Sequence, residues 1–290
     1  MSASVCSNDI LSSSAYRMAI ARALHGILEE PVAFEDRFAL DLLEPETRMA
    51  LLHNPFPFND PKARSMRAGV VGRTLMAESA MLHALRSNRV RQVVLLGAGL
   101  DTFSLRYSHA MPDAQFYEVD RAGMLAFKAE KAARTAEPVA ANVHCVDFDF
   151  ESALLLPALT SQGFDVTQAA TFSWLGVTPY LDEETVWQSL EDIASLPEGT
   201  SVTFDYRVYA ELLDPIEQMI SRFTAKLFAD MGEPWISAFE PSALLARLHC
   251  MGFRELDHLG YADLNERYFP RRKDGFQIAG GGFNYVTATK

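Results

Sequence analysis

A tight glycine turn after an apolar run is the first feature of this sequence that could serve chemistry. The run 92–96 leads directly into Gly97, Ala98 and Gly99, and Asp101 follows two residues later. Because glycine has no Cβ, such a turn lets the backbone pass close to a bound nucleotide-like ligand. A turn with a purely structural role is the alternative interpretation of so short a motif.

Acidic residues end the next apolar run. The segment 115–119 leads into Asp120, with Glu118 two residues before it. A carboxylate about twenty residues beyond such glycines is suitably spaced to accept hydrogen bonds from ribose hydroxyls. This spacing predicts a cofactor that contains adenosine. The alternative is that Asp120 caps a helix at 121–131.

A third acidic element, Asp147 followed by Phe148, comes after the run 142–146. An aspartate can accept a hydrogen bond from the adenine amino group, and an aromatic ring can pack on the purine. For Asp147 a solvated turn is the alternative. Thr102 occupies the place of the third glycine in the dinucleotide fingerprint, which disfavours a nicotinamide- or flavin-dependent oxidoreductase, the first competing function.

The elements that must position these residues alternate between strands and helices. Apolar runs predict strands at 92–96, 115–119, 142–146, 169–174 and 201–205, with helices at 104–109, 123–133, 152–162 and 183–195. Helical spacing also appears at 14–28, 34–43, 45–52, 62–87, 209–231 and 241–251, and strand-like runs appear at 254–259 and 282–287. The alternation predicts an α/β fold with a doubly wound, mostly parallel sheet.

The same pattern predicts one domain over residues 1–290. Its expected parts are a helical N-terminal layer (1–90), a cofactor-binding core (91–206), a helical lid insertion (207–252) and C-terminal strands (253–290). The N-terminal layer and the lid would cover the carboxyl ends of the strands, where open α/β sheets bind ligands.

Composition narrows the class of partner. The chain is 49% hydrophobic and 22% charged, which is typical of a soluble globular protein, and its formal charge of −12 argues against nucleic acid as a partner. No apolar stretch has the length of a signal peptide or a membrane span, so we expect a cytoplasmic protein without a membrane partner. Three scattered cysteines and seven histidines without ligand spacing predict no metal site.

Several segments together resemble the leucine carboxyl methyltransferase-like family of class I S-adenosylmethionine-dependent methyltransferases, which includes bacterial members. The resemblance spans most of the chain and is carried by Glu-Asp-Arg-Phe-Ala at 35–39, Val-Val-Leu-Leu-Gly-Ala-Gly-Leu-Asp-Thr at 93–102, Tyr-Glu-Val-Asp at 117–120, Val-Asp-Phe at 146–148, Phe-Ser-Trp-Leu-Gly-Val-Thr-Pro-Tyr-Leu at 172–181 and Phe-Asp-Tyr at 204–206. It implies a seven-stranded sheet and S-adenosylmethionine as the cofactor.

The resemblance also implies residue roles in cofactor binding. The glycine turn would back the methionine part, Asp120 would bind the ribose, and Asp147 with Phe148 would bind adenine. Arg73 would pair with the cofactor's carboxylate, a geometry that suits a guanidinium, although the nearby Arg64 and Arg67 could take that place. The predicted cofactor-binding residues are Arg73, Gly97, Ala98, Gly99, Asp101, Glu118, Asp120, Asp147, Phe148 and Trp174.

The predicted function is O-methylation of a small-molecule carboxylate or hydroxyl. Tyr180 is the first candidate for orienting the acceptor, with Arg106 and Tyr206 behind it, and packing is the alternative role for each tyrosine. Family members that methylate a protein C-terminus carry a glutamate before a small residue after the fourth strand, whereas Leu175 precedes Gly176 here. A cofactor-binding protein of this fold without methyl transfer is the second competing interpretation.

Overall fold

The computed structural model describes residues 10–11, 13–87, 90–135, 137 and 139–290. At its centre lies a seven-stranded sheet in the order β3-β2-β1-β4-β5-β7-β6. The strands are β1 (Gln92–Leu96), β2 (Gln115–Asp120), β3 (Val143–Asp147), β4 (Ala170–Trp174), β5 (Ser201–Arg207), β6 (Glu255–Leu259) and β7 (Phe283–Thr289). Strands β1 to β5 pair in parallel, and β7 runs antiparallel to both β5 and β6. The predicted α/β, mostly parallel seven-stranded sheet is confirmed.

Helices cover the sheet, and the first of them precede its first strand in the chain. They are α1 (Ser14–Leu28), α2 (Pro45–His53), α3 (Pro61–Arg86), α4 (Phe103–Tyr107), α5 (Ala122–Ala132), α6 (Leu155–Ser161), α7 (Glu183–Ala194), α8 (Pro215–Asp230), α9 (Pro241–Cys250) and α10 (Tyr261–Tyr268). Short 3-10 turns occur at Phe56–Phe58, Thr178–Tyr180 and Ala210–Leu212. Among the described residues, no helix is both long and apolar enough to cross a bilayer.

The strand order creates a crevice beside the first strand. Every residue of β1 and β4 is buried, as expected for parallel strands with both faces covered. Strand β1 pairs with β2 on one side and with β4 on the other, so the chain winds outward in opposite directions from this point. Ligands bind at such a switch point, beyond the carboxyl ends of the strands.

Two long helices that border this crevice begin with the same signal. Asp60 caps α3 by accepting hydrogen bonds from the backbone N–H groups of residues 62 and 63, and Asp214 caps α8 through those of residues 216 and 217. In both helices proline follows the cap, where its missing N–H costs no helical hydrogen bond. The sequence Asp-Pro therefore defines the first turn of each helix.

The helix predicted at 34–43 is wrong, because the structure has consecutive turns there. Asp36 bonds the backbone N–H of Phe38, and its carboxylate is drawn inward to Arg22 and Thr102. A side chain that competes for local backbone donors favours a turn over a helix. The helix predicted at 209–231 is interrupted between Ala210–Leu212 and α8, and α10 has no counterpart in the sequence predictions.

Candidate active site

A cavity of about 1410 Å³ opens beyond the carboxyl ends of the parallel strands. Its walls come from the glycine turn after β1, the segments after β2, β3 and β4, and the helices α1, α3 and α8. The predicted site residues that line it are Arg73, Gly97, Ala98, Gly99, Asp101, Asp120, Phe148 and Tyr180. The structure thus brings eight residues from five separate segments to one cavity.

The glycine turn has a backbone that other residues adopt only with strain. Gly97 and Gly99 have φ angles of +63° and +47°. A Cβ at Gly97 would lie 2.2 Å from Cγ2 of Val177, so glycine is required there for space as well as for conformation. The backbone N–H of Gly99 donates to Oδ2 of Asp120 over 2.7 Å, which ties the turn to the end of β2.

Asp120 is a half-buried carboxylate at the edge of the cavity. Its Oδ1 accepts a hydrogen bond from the backbone N–H of Arg121 over 2.8 Å, in addition to the bond from Gly99. Burial raises the pKa of Asp120, and these two hydrogen bonds only partly oppose it. Arg121, not Asp120, is the N-cap residue of α5, so the capping alternative does not describe this side chain. Each oxygen keeps a lone pair for a further donor.

Arg22 of α1 contacts the end of the glycine turn, an interaction that the sequence analysis did not predict. Its guanidinium donates to the carbonyl of Leu100, and its Nη1 lies 3.9 Å from Oδ2 of Asp101. Burial disfavours the charged form of Asp101, but the charges of Arg22 and Lys128 outweigh it and lower the pKa of Asp101. Because α1 also contributes Ser14 and neighbouring residues to the cavity wall, this contact couples the N-terminal helix to the turn.

Of the three arginines considered on α3, Arg73 is the one that lines the cavity. Its Nη1 donates to Oδ2 of Asp205 over 2.7 Å, and Asp205 also accepts from the backbone N–H of Gly176 over 2.6 Å. Arg67 is instead buried against Glu29, and Arg64 bonds the carbonyl of residue 274. The position of Arg73 suits a ligand carboxylate, and its remaining guanidinium donors are available for one.

In the third acidic element, the structure places Phe148 at the cavity as predicted but places Asp147 elsewhere. Phe148 lines the cavity, but Asp147 is exposed and accepts from the backbone N–H of Ala122 over 2.8 Å, at the start of α5. Asp149 and Phe150 line the cavity in its place. The motif Asp-Phe-Asp-Phe at 147–150 contains both Asp147 and Asp149. The course of the chain after β3 decides which of the two lines the cavity.

Two further predicted cofactor ligands lie behind the cavity wall. Trp174 is fully buried, and its indole stacks on Phe150 with ring centroids 5.6 Å apart, so it supports the wall from behind. Glu118 is buried, and its carboxylate bonds the hydroxyl of Ser104 on α4 and lies 2.8 Å from Nζ of Lys128 on α5. Neither side chain lines the cavity.

Two of the three predicted catalytic residues also point elsewhere. Arg106 pairs with Glu78 and donates to Oγ1 of Thr102 over 3.0 Å, in a buried cluster beneath the glycine turn. Tyr206 is buried on the face of β5 opposite Asp205, and its hydroxyl lies 2.8 Å from Nε2 of His258. Adjacent residues of a strand face opposite sides of the sheet, so Asp205 and Tyr206 cannot both reach the cavity.

Tyr180 is the predicted catalytic residue that the structure does place at the cavity. It ends the 3-10 turn Thr178–Tyr180, and its ring meets that of Phe228 edge to face with centroids 6.5 Å apart. Burial raises the pKa of Tyr180, and hydrogen bonds with Trp235 and Ser14 only partly oppose this. The hydroxyl therefore stays neutral near pH 7 and can donate a hydrogen bond to a ligand oxygen.

Asp120→Ala is expected to weaken binding of an adenosine cofactor by about 1.5–3 kcal/mol, the range for hydrogen bonds to a charged group. The native protein should also lose affinity as the pH falls through the raised pKa of Asp120, because ribose hydroxyls donate to the ionised carboxylate. At pH values above that pKa the affinity should be constant. Titration calorimetry with S-adenosylhomocysteine between pH 4 and 8 measures both effects.

Asp120→Asn is the matched control, since it keeps an acceptor for Gly99 and should remove the pH dependence. Because the pKa of Asp120 is higher in the folded than in the unfolded protein, protonating it does not by itself destabilise the fold. Lost affinity can therefore be separated from unfolding. An affinity within a factor of two of the native value, together with collapsed stability, would show that Asp120 only holds the turn.

Comparison with known proteins agrees with this arrangement. Residues 15–194 match the family described as leucine carboxyl methyltransferase. Over 94% of this chain and 95% of the relative, the sequence is 28% identical to YktD of Bacillus subtilis, which is named as an S-adenosyl-L-methionine-dependent methyltransferase.

Solved structures show the same fold. A DUF574 family protein from Streptomyces avermitilis superposes with a TM-score of 0.58 at 16% identity, over 97% of this chain and 99% of that one. A protein of Thermobifida fusca named as a methyltransferase gives a TM-score of 0.56 at 19% identity, over 86% of this chain and 92% of that one. At these identities the similarity concerns the architecture of the chain.

Proposed function

This chain belongs to the leucine carboxyl methyltransferase family, and from that premise we propose that this S-adenosylmethionine-dependent methyltransferase methylates an oxygen of a small-molecule carboxylate or hydroxyl. The observation that carries the proposal is one cavity whose lining combines two kinds of residue. The glycine turn and Asp120 belong to this lining, and so do Tyr180, Phe228 and Trp235. The family match favours methyl transfer over the oxidoreductase alternative.

The cavity residues fit the cofactor. The left-handed turn at Gly97 and Gly99 places main chain at the cavity wall, Asp120 offers acceptors for ribose hydroxyls, and Phe148 offers a ring for adenine. Arg73 would hold the carboxylate of the amino-acid part. Bound at this place, S-adenosylmethionine supplies an electrophilic methyl group on a sulfonium.

The protein's own task is then to position the acceptor and to exclude water. An acceptor carboxylate is already ionised at neutral pH and needs no general base, whereas a hydroxyl needs one. The neutral hydroxyl of Tyr180 suits the first case, since it can donate to one carboxylate oxygen while the other reacts. Phe228 and Trp235, whose rings stack with centroids 5.2 Å apart, would cover the acceptor's apolar body.

A small molecule is favoured over a macromolecule for two reasons. The formal charge of −12 opposes binding of polyanions. Leu175, which stands where protein-methylating members carry a glutamate, lines the cavity and adds apolar surface instead. Incubating the enzyme with labelled cofactor and, separately, with cell protein, RNA and a small-molecule extract tests the proposal. Label found chiefly on polypeptide would contradict it.

Tyr180→Phe is expected to lower kcat/KM for the acceptor roughly 5–150-fold, because a buried hydrogen bond to the acceptor oxygen is lost, at about 1–3 kcal/mol. Affinity for S-adenosylhomocysteine should change less than twofold. Tyr209→Phe is the matched control, since the Tyr209 hydroxyl bonds Glu183 and the residue does not line the cavity. Equal activity of the two variants would assign Tyr180 to packing alone.

A further inference from the structure

The outer part of the cavity is an apolar groove between two helices. One wall is a stripe on α8, whose residues recur at helical spacing and therefore share one face. The cavity-lining members of this stripe are Met219, Ile220, Phe223 and Leu227. Three of them stay largely open to solvent, with exposed fractions of 66% for Met219, 52% for Phe223 and 42% for Leu227.

The opposite wall is one face of α3. Met66, Val70 and Arg73 follow one another at helical spacing and all line the cavity. Along this face the exposed fraction is 39% at Met66, 4% at Val70 and 16% for the Arg73 side chain, so the groove leads from the surface to more buried residues. At its outer end, Nζ of Lys62 lies 3.8 Å from the centroid of the Phe223 ring and joins the two walls.

The inner end of the groove carries Arg73 and Tyr180, whose hydroxyl could hold a reacting oxygen. The opposite charges of Glu233 and Arg73 both act on that hydroxyl. Beyond them the α3 and α8 walls are lined mainly by aliphatic, thioether and aromatic side chains. At about 1.5 Å of helical rise per residue, the seven steps along α3 from Arg73 to Met66 span roughly 10 Å. The groove therefore accepts a ligand with a polar head and an apolar body of that length.

A peptide suits this groove poorly. Both walls are helices, whose backbone groups bond within the helix, so an extended peptide would leave its own N–H and C=O groups without backbone partners. An apolar chain needs no such partners and gains free energy by covering exposed apolar surface. The groove is continuous with the candidate active site, so a ligand bound in it could present its polar head there.

We propose that the acceptor is an amphiphile with a carboxylate or hydroxyl at one end and an elongated apolar body of about 10 Å, which lies between α3 and α8. This inference rests on the proposed function, which it narrows to a substrate class. The head group would meet Tyr180, and the apolar body would extend past Val70 towards Met66 and Phe223.

Calorimetric titration of the protein saturated with S-adenosylhomocysteine tests the groove without requiring turnover. The probes are the straight-chain acids butanoate, hexanoate, octanoate, decanoate and dodecanoate, each below its aggregation threshold. Affinity should rise about twofold to fourfold for each methylene added, as expected when each is half or fully buried, and should level off near decanoate. Methyl transfer to the same acids should show the same trend in kcat/KM.

Two matched variants of α8 test whether the dependence of affinity on chain length arises in the groove. Phe223→Ser should flatten the dependence on chain length, whereas Ile216→Ser should preserve it, because Ile216 is 66% exposed on α8 but does not line the cavity. Methyl transfer to short acids with no dependence on chain length would overturn this inference and leave the proposed function standing. Chain-length-dependent binding without methyl transfer to any acid or matching alcohol would support the groove and contradict the proposed function. Equal effects of the two variants would also overturn the inference.

Discussion

Gly97→Ala is expected to lower the free energy of unfolding by about 2–5 kcal/mol and to abolish cofactor binding. A left-handed backbone costs a residue with a Cβ about 1–2 kcal/mol, and crowding in a packed interior adds about 1–3 kcal/mol. Both terms apply at Gly97, where φ is +63° and the added Cβ would lie 2.2 Å from Cγ2 of Val177. Urea denaturation measures the loss of stability, and calorimetry with S-adenosylhomocysteine measures the loss of binding.

Gly163→Ala separates the two causes. Gly163 has a φ of +90°, but a Cβ there would meet no atom within 4 Å, so only the backbone term of about 1–2 kcal/mol applies. Gly97→Ala combined with Val177→Ala should regain the stability lost to crowding but not the stability lost to the left-handed backbone. If Gly97→Ala destabilised the protein no more than Gly163→Ala does, the contact with Val177 would not constrain the turn.

The strands of the sheet could be predicted because the apolar residues of each strand are consecutive in the sequence. Parallel strands covered on both faces are nearly continuous apolar runs, and β1 was predicted with the bounds it has, Gln92–Leu96. The remaining strands differ from the predictions by one or two residues at their ends. The antiparallel β7 follows from the same signal, although its insertion between β5 and β6 depends on pairing that no local pattern specifies.

Helices with few buried residues were harder to predict. In α10 the structure buries Leu264, while most of its neighbours are polar, so the apolar periodicity is weak. The segment 34–43 shows the opposite error, since its apolar residues Phe38, Ala39, Leu42 and Leu43 are buried in turns rather than in a helix. In both segments contacts with the rest of the fold outweigh local preference.

The sequence predicted which segments form the candidate site, but it did not predict which side chains of those segments line the cavity. Motifs indicated which strand ends meet, and Gly97, Gly99 and Asp120 do lie at the cavity. Which of two neighbouring acids lines the cavity depends on the direction of the chain after the strand, as Asp147 and Asp149 show. The aromatic-rich segment 223–235 is compatible from its sequence with an acceptor pocket or with a core, because an apolar stripe that lines a cavity has the same periodicity as one that packs in a core.

Arg73 should affect stability and ligand binding together. Arg73→Ala is expected to cost about 3–5 kcal/mol of folding free energy, because it leaves a buried carboxylate without its charge partner. Asp205, whose side chain is 1% exposed, would keep only the hydrogen bond from Gly176. Adding Asp205→Asn should restore part of the loss, since it removes the uncompensated charge. Thermal and urea denaturation of the single and double variants measure this coupling.

The same variant tests the proposed contact of Arg73 with the cofactor's carboxylate. Binding of S-adenosylhomocysteine to folded Arg73→Ala should weaken roughly 10–150-fold, the equivalent of about 1.5–3 kcal/mol for a charged hydrogen bond. Methylthioadenosine lacks the amino-acid part, so its affinity should change much less. Arg64→Ala is the matched control on α3, because Arg64 bonds Asn59 and the carbonyl of residue 274, away from the cavity. Equal losses for both nucleosides in Arg73→Ala would mean that this arginine supports the cavity through Asp205 and not through the carboxylate of the ligand.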